Sequence, residues 1–488
     1  MSPSGTGGPW HPAYAEGVMA CDQRFAARVF YDAFLDALTA HLRAVAALDV
    51  ARRHEREIGR LDAALQAQRD LPPPEPKAGV PDLYFGIQRR LEAQVGAEAL
   101  AWLRLGLSRN DLDMTVYVMA ARARLLAVAR RVGALQDALL RQAEDGLGTI
   151  VIARTHHQPA QPTTLGHRLT AAAAVVERHQ QRLLGALQRL DRCPLGAAAM
   201  TGSSYPLDRD ATARALGFPE PVWNTLDAVA SGDWQLDLAG VAQALAVDLS
   251  RLTHDLLRDA EDGRLRLPDE LVQGSSIMPQ KRNPVALEHA RTRFSRVAGA
   301  AGQVAFLSHN IPHGDLNDVG TDAQEPLHAL VDTLDAGLDL LIACLQGGRW
   351  DEARLASEAA ASDTTATELA DELVRTAGLP FPEAHHVAAS LVARMSERGR
   401  PLQQATPDDL AAAGGPALAA DALAAALSPE AFVARRSGLG GPAPEAVRSH
   451  LVRLAERSAA YHEVVAQAAT RIDSALRDLR TRGKDVPG

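Results

Sequence analysis

Two stretches of this chain place aliphatic residues three and four apart over several turns. Leu238, Val241, Leu245, Leu249, Leu252 and Leu256 form one seam, and Leu327, Leu330, Val331, Leu334, Leu338 and Leu341 form another. That spacing follows the helical period and excludes a strand, whose faces alternate every second residue. Helices of roughly 25 residues run about 37 Å and bury such stripes against several neighbours. The leucines are therefore assigned to packing and to no chemistry. Alanine and leucine dominate the composition and aromatic residues make up only 4% of it, which also favours helices over sheets. No strand alternation of useful length is visible, and there is no GxGxxG or P-loop. The expected class is all-α.

Gly/Pro punctuation divides the 488 residues. The first 20 read as a loose arm, and "LPPPEPKAGVP" at 71–81 interrupts a helical stretch that resumes over 82–104. Long helices are expected from about 112 to 350. Beyond 365 the helical pieces shorten between "GLPFPEAHH" and "GLGGPAPEAV". The expected domains are 1–106, a central long-helix bundle over 107–364, and a small helical unit over 365–488.

A net charge of −9 argues against a nucleic-acid partner that needs a broad basic surface. It leaves room for an anionic substrate, which needs only local positive charge. Cys21, Cys193 and Cys344 are far apart and odd in number, poor material for a disulfide framework. A reducing cytoplasm is expected. The start shows no basic region followed by an apolar run, and no stretch reaches the ~18 apolar residues of a membrane span.

Three segments look unlike scaffold. The most informative reads Gly-Ser-Ser-Ile-Met-Pro-Gln-Lys-Arg-Asn-Pro over 274–284. Such a loop can offer a base (Ser275 or Ser276), a cation (Lys281) and an amide (Asn283) to one small anion, with glycine at its start for backbone freedom. The second is Ser108-Arg109-Asn110-Asp111, just before a long helix. Its donors suit an anion at a helix start, and Arg109 suits a bidentate carboxylate contact; the same four residues equally make a helix cap. The third runs from Thr155 to His167 and holds His156, His157 and His167. No HxxxH or HExxH occurs within this segment, so no metal is expected; a histidine among Thr and Gln fits acid–base or orienting work.

These segments, in this order and spacing, resemble the three scattered motifs of the aspartase/fumarase superfamily. "GSSIMPQKRNP", "SRND" and "THHQPAQPTTLGH" are most similar to its argininosuccinate-lyase branch. The likeness extends to "PLGAAAMTGSSYPLDR" (194–209), "NTLDAVASGDW" (224–234) and "LPFPEAHH" (379–386), and so spans nearly the whole chain. It implies a three-domain all-α protomer, a homotetramer with a 20-helix core, and active sites that draw the three motifs from three chains. It also implies a lyase that eliminates an amine from a substituted succinate to release fumarate, without metal or organic cofactor. By resemblance Ser275 is the base, and Lys281 and Asn283 grip the reacting carboxylate. Ser108, Arg109, Asn110 and Thr155 hold the substrate's carboxylates, with Gln158, Ser276 and Met278 beside them. His156 lies near the leaving nitrogen, with Glu288 as its carboxylate partner.

The segment after the loop departs from the family pattern. Asp315, Gly320 and Ala323 stand where the branch has Tyr, Gln and Lys, residues that contact the arginine half of its substrate. Leu107 and Gly232 replace two further arginines. The succinyl half of the site is retained and the amine half is rebuilt, with Asp315 a candidate contact to a different amine. The leading expectation is therefore a C–N lyase acting on an N-substituted aspartate other than argininosuccinate. A genuine argininosuccinate lyase and a catalytically silent structural homologue are the alternatives.

Overall fold

The computed structural model describes residues 10–76, 80 and 82–481. Six helices dominate them. They are α1 (Arg109–Asp145), α2 (Leu165–Leu190), α3 (Asp233–Glu261), α4 (Val285–Leu307), α5 (Thr321–Gly347) and α6 (Pro444–Thr481). The first five close a ring in which each packs on the next and α5 returns to α1. Both leucine seams lie inside it: Leu238, Leu245, Leu249 and Leu256 from α3, and all six residues of the 327–341 seam from α5, are buried.

Polar pairs fix the directions. Along α2 and α3 the pairs Arg168–Asp259, His179–Asp248 and Arg189–Asp237 step in opposite senses, so these helices are antiparallel. Between α1 and α5 the pairs Arg124–Asp332 and Arg131–Asp339 keep a constant offset, so these two are parallel. At one end Tyr117 and Thr321 share a hydroxyl contact at 3.3 Å; at the other the Gln142 amide donates to the Leu345 carbonyl at 3.0 Å. The exposed pairs among these add little stability, but all of them report register. Where α4 crosses α5, Gly337 lets the ring of Phe294 approach so closely that a Cβ there would sit 2.8 Å from it.

The buried Arg122 of α1 ties three segments together. It donates to Asp191 at 3.0 Å, to the Gly217 carbonyl at 3.0 Å and to the Leu216 carbonyl at 2.8 Å, and its guanidinium lies 3.7 Å from the Phe218 ring centre. Arg471 of α6 grips the same Asp191. A guanidinium is tolerated here because both of its terminal nitrogens have acceptors and its charge is paired with Asp191.

The structure differs from expectation in three places. Residues 369–427 form an apolar cluster of their own, but α6 packs on α1 and α2, with the Tyr461 hydroxyl donating to the Ala129 carbonyl at 2.9 Å. A single unit over 365–488 therefore does not describe the packing. The chain leaves the bundle, builds the small cluster and returns. The N-terminal arm expected to be loose over residues 1–20, of which 1–9 lie outside the described residues, is helical over 12–19 and leads directly into the helix Ala20–Val29, where Phe25 sets its edge against His328, as does Phe30 just after it. A β-hairpin also exists, β1 (Ile150–Thr155) with β2 (Gln158–Thr164), although no useful strand was expected. It caps one bundle end with one side in water, so it needs no long apolar alternation.

Replacing Arg122 by Met orphans the buried Leu216 carbonyl and leaves Asp191 and the Gly217 carbonyl with Arg471 alone. Urea melts should show a loss on the order of 3 kcal/mol; a loss below about 1 kcal/mol would mean that the network is incidental to stability.

Candidate active site

The segment Ser108–Asp111 is a helix N-cap. The Ser108 hydroxyl accepts from the Asn110 amide at 3.3 Å, and Asp111 accepts from the Ser108 amide at 3.1 Å, a reciprocal capping box. Asp111 is fully buried, and its other oxygen accepts from the Gly196 and Ala198 amides, both at 2.9 Å. Asn110 reaches across to the Ala199 carbonyl at 3.2 Å. The motif therefore pins the 196–199 turn to the start of α1. Burial pushes the Asp111 carboxyl up to about 6, against the pull of those amides. The cap was one of the two readings of this segment; the second clasp, on the 196–199 turn, was not expected.

Arg109 is not presented as a free clamp. It pairs with Asp82 at 3.0 Å and with Asp113 at 3.3 Å. Burial raises both carboxyls, Asp113 well above the usual range with Asp82 adding to it, while Arg109 pulls each back. Asp315 belongs to the same cluster; burial raises its carboxyl and Arg109 lowers it. Of the three positions where the sequence departs from the family pattern, only Asp315 is exposed. Gly320 and Ala323 are buried, and a side chain at 320 would start 3.2 Å from the Leu316 carbonyl oxygen.

The Thr155–Gln158 segment is the tip of the hairpin. Thr155 pairs with Gln158 across a two-residue turn made of His156 (φ 52°) and His157 (φ 64°). Such turns favour Asn-Gly, so two consecutive histidines with positive φ store backbone strain, a feature that clusters at functional sites. His157 is held: Arg154 donates to its carbonyl at 3.2 Å and Arg258 of α3 donates to its Nδ1 at 3.0 Å. A guanidinium only donates, so that nitrogen carries no proton here. Thr155, His156 and Gln158 are exposed. His167, the third histidine of the segment, bonds Thr163 at 2.8 Å and the Gly440 carbonyl at 3.0 Å, a structural task.

The third segment is a loop clasped at its base, where Gln273–Gly274 pairs with Arg282–Asn283. Arg282 anchors the clasp through the Leu267 carbonyl at 2.9 Å and through Asp269. Beyond it the Ser275 hydroxyl oxygen accepts main-chain N–H bonds from Ile277 at 3.3 Å and Met278 at 3.1 Å. Two amide dipoles aimed at one Oγ favour its anion. The Lys281 amide closes a turn onto the Met278 carbonyl at 3.0 Å, which leaves Ser276, Ile277, Met278 and Lys281 exposed. Gly274 has no positive φ and a Cβ there would meet nothing within 4 Å, so the backbone freedom expected of it is not used. Glu288 lies in the first turn of α4, exposed, and makes no side-chain contact with His156 within the described residues.

These groups do not form one site in one chain. The Ser108 motif opens α1 and the hairpin comes after its end; 37 residues of helix separate them, about 55 Å. The Ser275 loop joins the end of α3 to the start of α4, and Arg258, near the end of α3, touches the hairpin. One end of the bundle thus bears Thr155, His156, Gln158, Ser275, Ser276, Met278, Lys281, Asn283 and Glu288. The other bears Ser108, Arg109, Asn110 and Asp315.

Comparison with known proteins gives this arrangement a context. Residues 84–299 match a lyase family model, and residues 363–434 match the argininosuccinate lyase C-terminal family. The chain is 35% identical to argininosuccinate lyase 2 of Agrobacterium fabrum over 81% of its own length and 80% of that protein. It is 40% identical to argininosuccinate lyase of Thermus thermophilus over 76% and 80%. Among solved structures, EDDS lyase in complex with formate superposes with a TM-score of 0.85 at 25% identity, covering 98% of this chain and 96% of that one. The chain belongs to the aspartase/fumarase superfamily of lyases, on its argininosuccinate-lyase-like branch.

The raised carboxyl of Asp111 has a pH signature. Its folded value, about 6, lies above the ordinary 3.8, so the folded state holds the proton more tightly than the unfolded chain. Its contribution is full below about 3.8 and is lost as pH rises towards 6. Relative to Asp111→Asn, wild-type stability should fall across that window by on the order of 2–3 kcal/mol. A pH-independent difference between the two melts would contradict the assignment.

Proposed function

We propose that this family member catalyses the anti-elimination of an amine from an N-substituted aspartate, releasing fumarate. The observation that carries the reading is the pair of main-chain N–H groups on the Ser275 oxygen. A serine is a poor base unless its anion is stabilised, and those two amides supply the stabilisation. Ser275 takes the proton from the carbon next to a carboxylate. The resulting dianion is the costly species, and Lys281 and Asn283 grip its carboxylate. Ser108, Arg109, Asn110 and Thr155 hold the substrate's carboxylates, with Gln158, Ser276 and Met278 lining the space. His156 handles the proton at the departing nitrogen, and Glu288, out of contact with it within one copy, is its carboxylate partner in the assembled site.

Because the two groups of residues lie at opposite bundle ends, the working site is assembled from several copies of the chain, as a homotetramer. Five ring helices from each of four copies account for a 20-helix core. Arg109 then acts from within its carboxylate cluster, orienting Asp315 as well as facing the substrate. The acidic surroundings, Asp82, Asp113 and Asp315, suit a leaving amine that carries positive charge.

The substrate we favour is not argininosuccinate, because Asp315 stands where the branch has Tyr and the buried Gly320 and Ala323 cannot replace the lost polar contacts. The names of the most similar relatives favour argininosuccinate as the second reading. The test is a panel of N-substituted aspartates, argininosuccinate among them, with fumarate followed by its ultraviolet absorbance. An aspartate bearing a cationic amine should outrun argininosuccinate, and the reverse order would select the second reading. Ser275→Ala should lower kcat by roughly 10²–10⁴-fold with assembly intact; near-normal turnover would remove Ser275 as the base.

A further inference from the structure

The hairpin end of the bundle holds arginines to which the elimination gives no role, beside the His156 that it uses. Behind the His156–His157 turn lies a cavity of about 630 Å³, walled by the hairpin, the start of α2, the last turns of α3 and the segment around Phe432 and Pro442. Five arginines and four histidines line it against two aspartates, a local reversal in a chain of net charge −9. Three of those arginines have carboxylate partners: Arg168 and Arg264 share Asp259, and Arg436 holds Glu368. Arg154 and Arg258 form no ion pair among the described residues. Both instead converge on His157, one on its carbonyl and one on its Nδ1. Two guanidiniums drawn to one residue repel each other, and an anion between them offsets that repulsion. His156 and His254 line the same space, and neither side chain has a hydrogen-bond partner among the described residues.

We propose that this cavity is an anion site, taking a carboxylate or phosphate group of a small molecule between Arg154 and Arg258, against the His156–His157 turn. Planar guanidinium forks match both groups, and the volume suits a metabolite-sized ligand. The anion is either the tail of the leaving amine, an arm that rests on the function proposed above, or a free effector. In both cases it bridges the two arginines that hold the strained turn, and so fixes the backbone that presents His156.

The probe is inorganic phosphate. Calorimetric titration of the full-length protein should show saturable binding. Phosphate should also protect His156 and His157 from diethyl pyrocarbonate, read by mass spectrometry, while His385, exposed on the small cluster, is modified as before. The double variant Arg154→Gln/Arg258→Gln, with its fold checked by circular dichroism, should bind phosphate at least about tenfold more weakly. The charge-retaining Arg154→Lys/Arg258→Lys should fall between. Absence of saturable binding, unprotected histidines in the wild type, or equal affinity in the double variant would each overturn the site. Phosphate that raises KM only for aspartates whose amine part is acidic identifies the tail as the source; phosphate that alters turnover of all of them alike identifies an effector. Binding and protection need no turnover. A protein that releases fumarate from no aspartate would sink the proposed function and leave this site standing, and active enzyme without phosphate binding would do the reverse.

Discussion

The length of α1 governs the rest of the molecule. A helix of 37 residues cannot bend back on itself, so the segments before and after it are held about 55 Å apart. The ring built around it copies that length: α2 and α4 run back, α3 and α5 run forward, and every connection falls at one end or the other. Segments that carry chemistry sit in those connections because the helical interior is committed to packing. The bundle is thus a long spacer between two sets of loops, and under the function we propose a complete set of catalytic groups requires one copy's first end to meet another copy's second.

Each end is organised by polar contacts that the helices alone would not provide. At the first end Asp111 satisfies amides from its own helix start and from the 196–199 turn, a buried carboxylate used as a clasp. Around it Arg109 pairs with Asp82 and Asp113 and draws down the carboxyl of Asp315. At the second end two loops are held in conformations a free chain would avoid. The histidine turn has positive φ at both positions, and the Ser275 loop spends two amides on a single hydroxyl. Preorganisation of this sort is costly in folding and useful in catalysis, because donors already aimed need not reorganise when charge develops.

The all-α class and the bundle were legible in the sequence because the 238–256 and 327–341 seams repeat with the helical period, and that period has one structural meaning. The loop around Ser275 stood out because its residues serve no packing purpose. Other features were not legible, for physical reasons. One strand of the hairpin opens on the unbroken apolar run 150–153 and the other is polar with two prolines, so neither shows alternation. The return of α6 to the bundle depends on tertiary contacts such as Tyr461 with Ala129, which local patterning does not encode. Nothing in the run Ser108–Asp111 says that Arg109 is engaged by Asp82, 27 positions earlier. The departures at 315, 320 and 323 look alike as letters, yet only the first faces solvent.

The central claim is that opposite ends of different copies complete one site. Two variants test it most directly: Asn110→Ala disables the first end and Ser275→Ala disables the second. Each alone should be nearly inactive. When they are unfolded together and reassembled, chains mix, and roughly a quarter of the sites in a statistical homotetramer draw both ends intact from different copies. Recovery of fumarate release to about that fraction of wild type is the result the account predicts. Mixed assemblies that form but stay as inactive as their parents would contradict it.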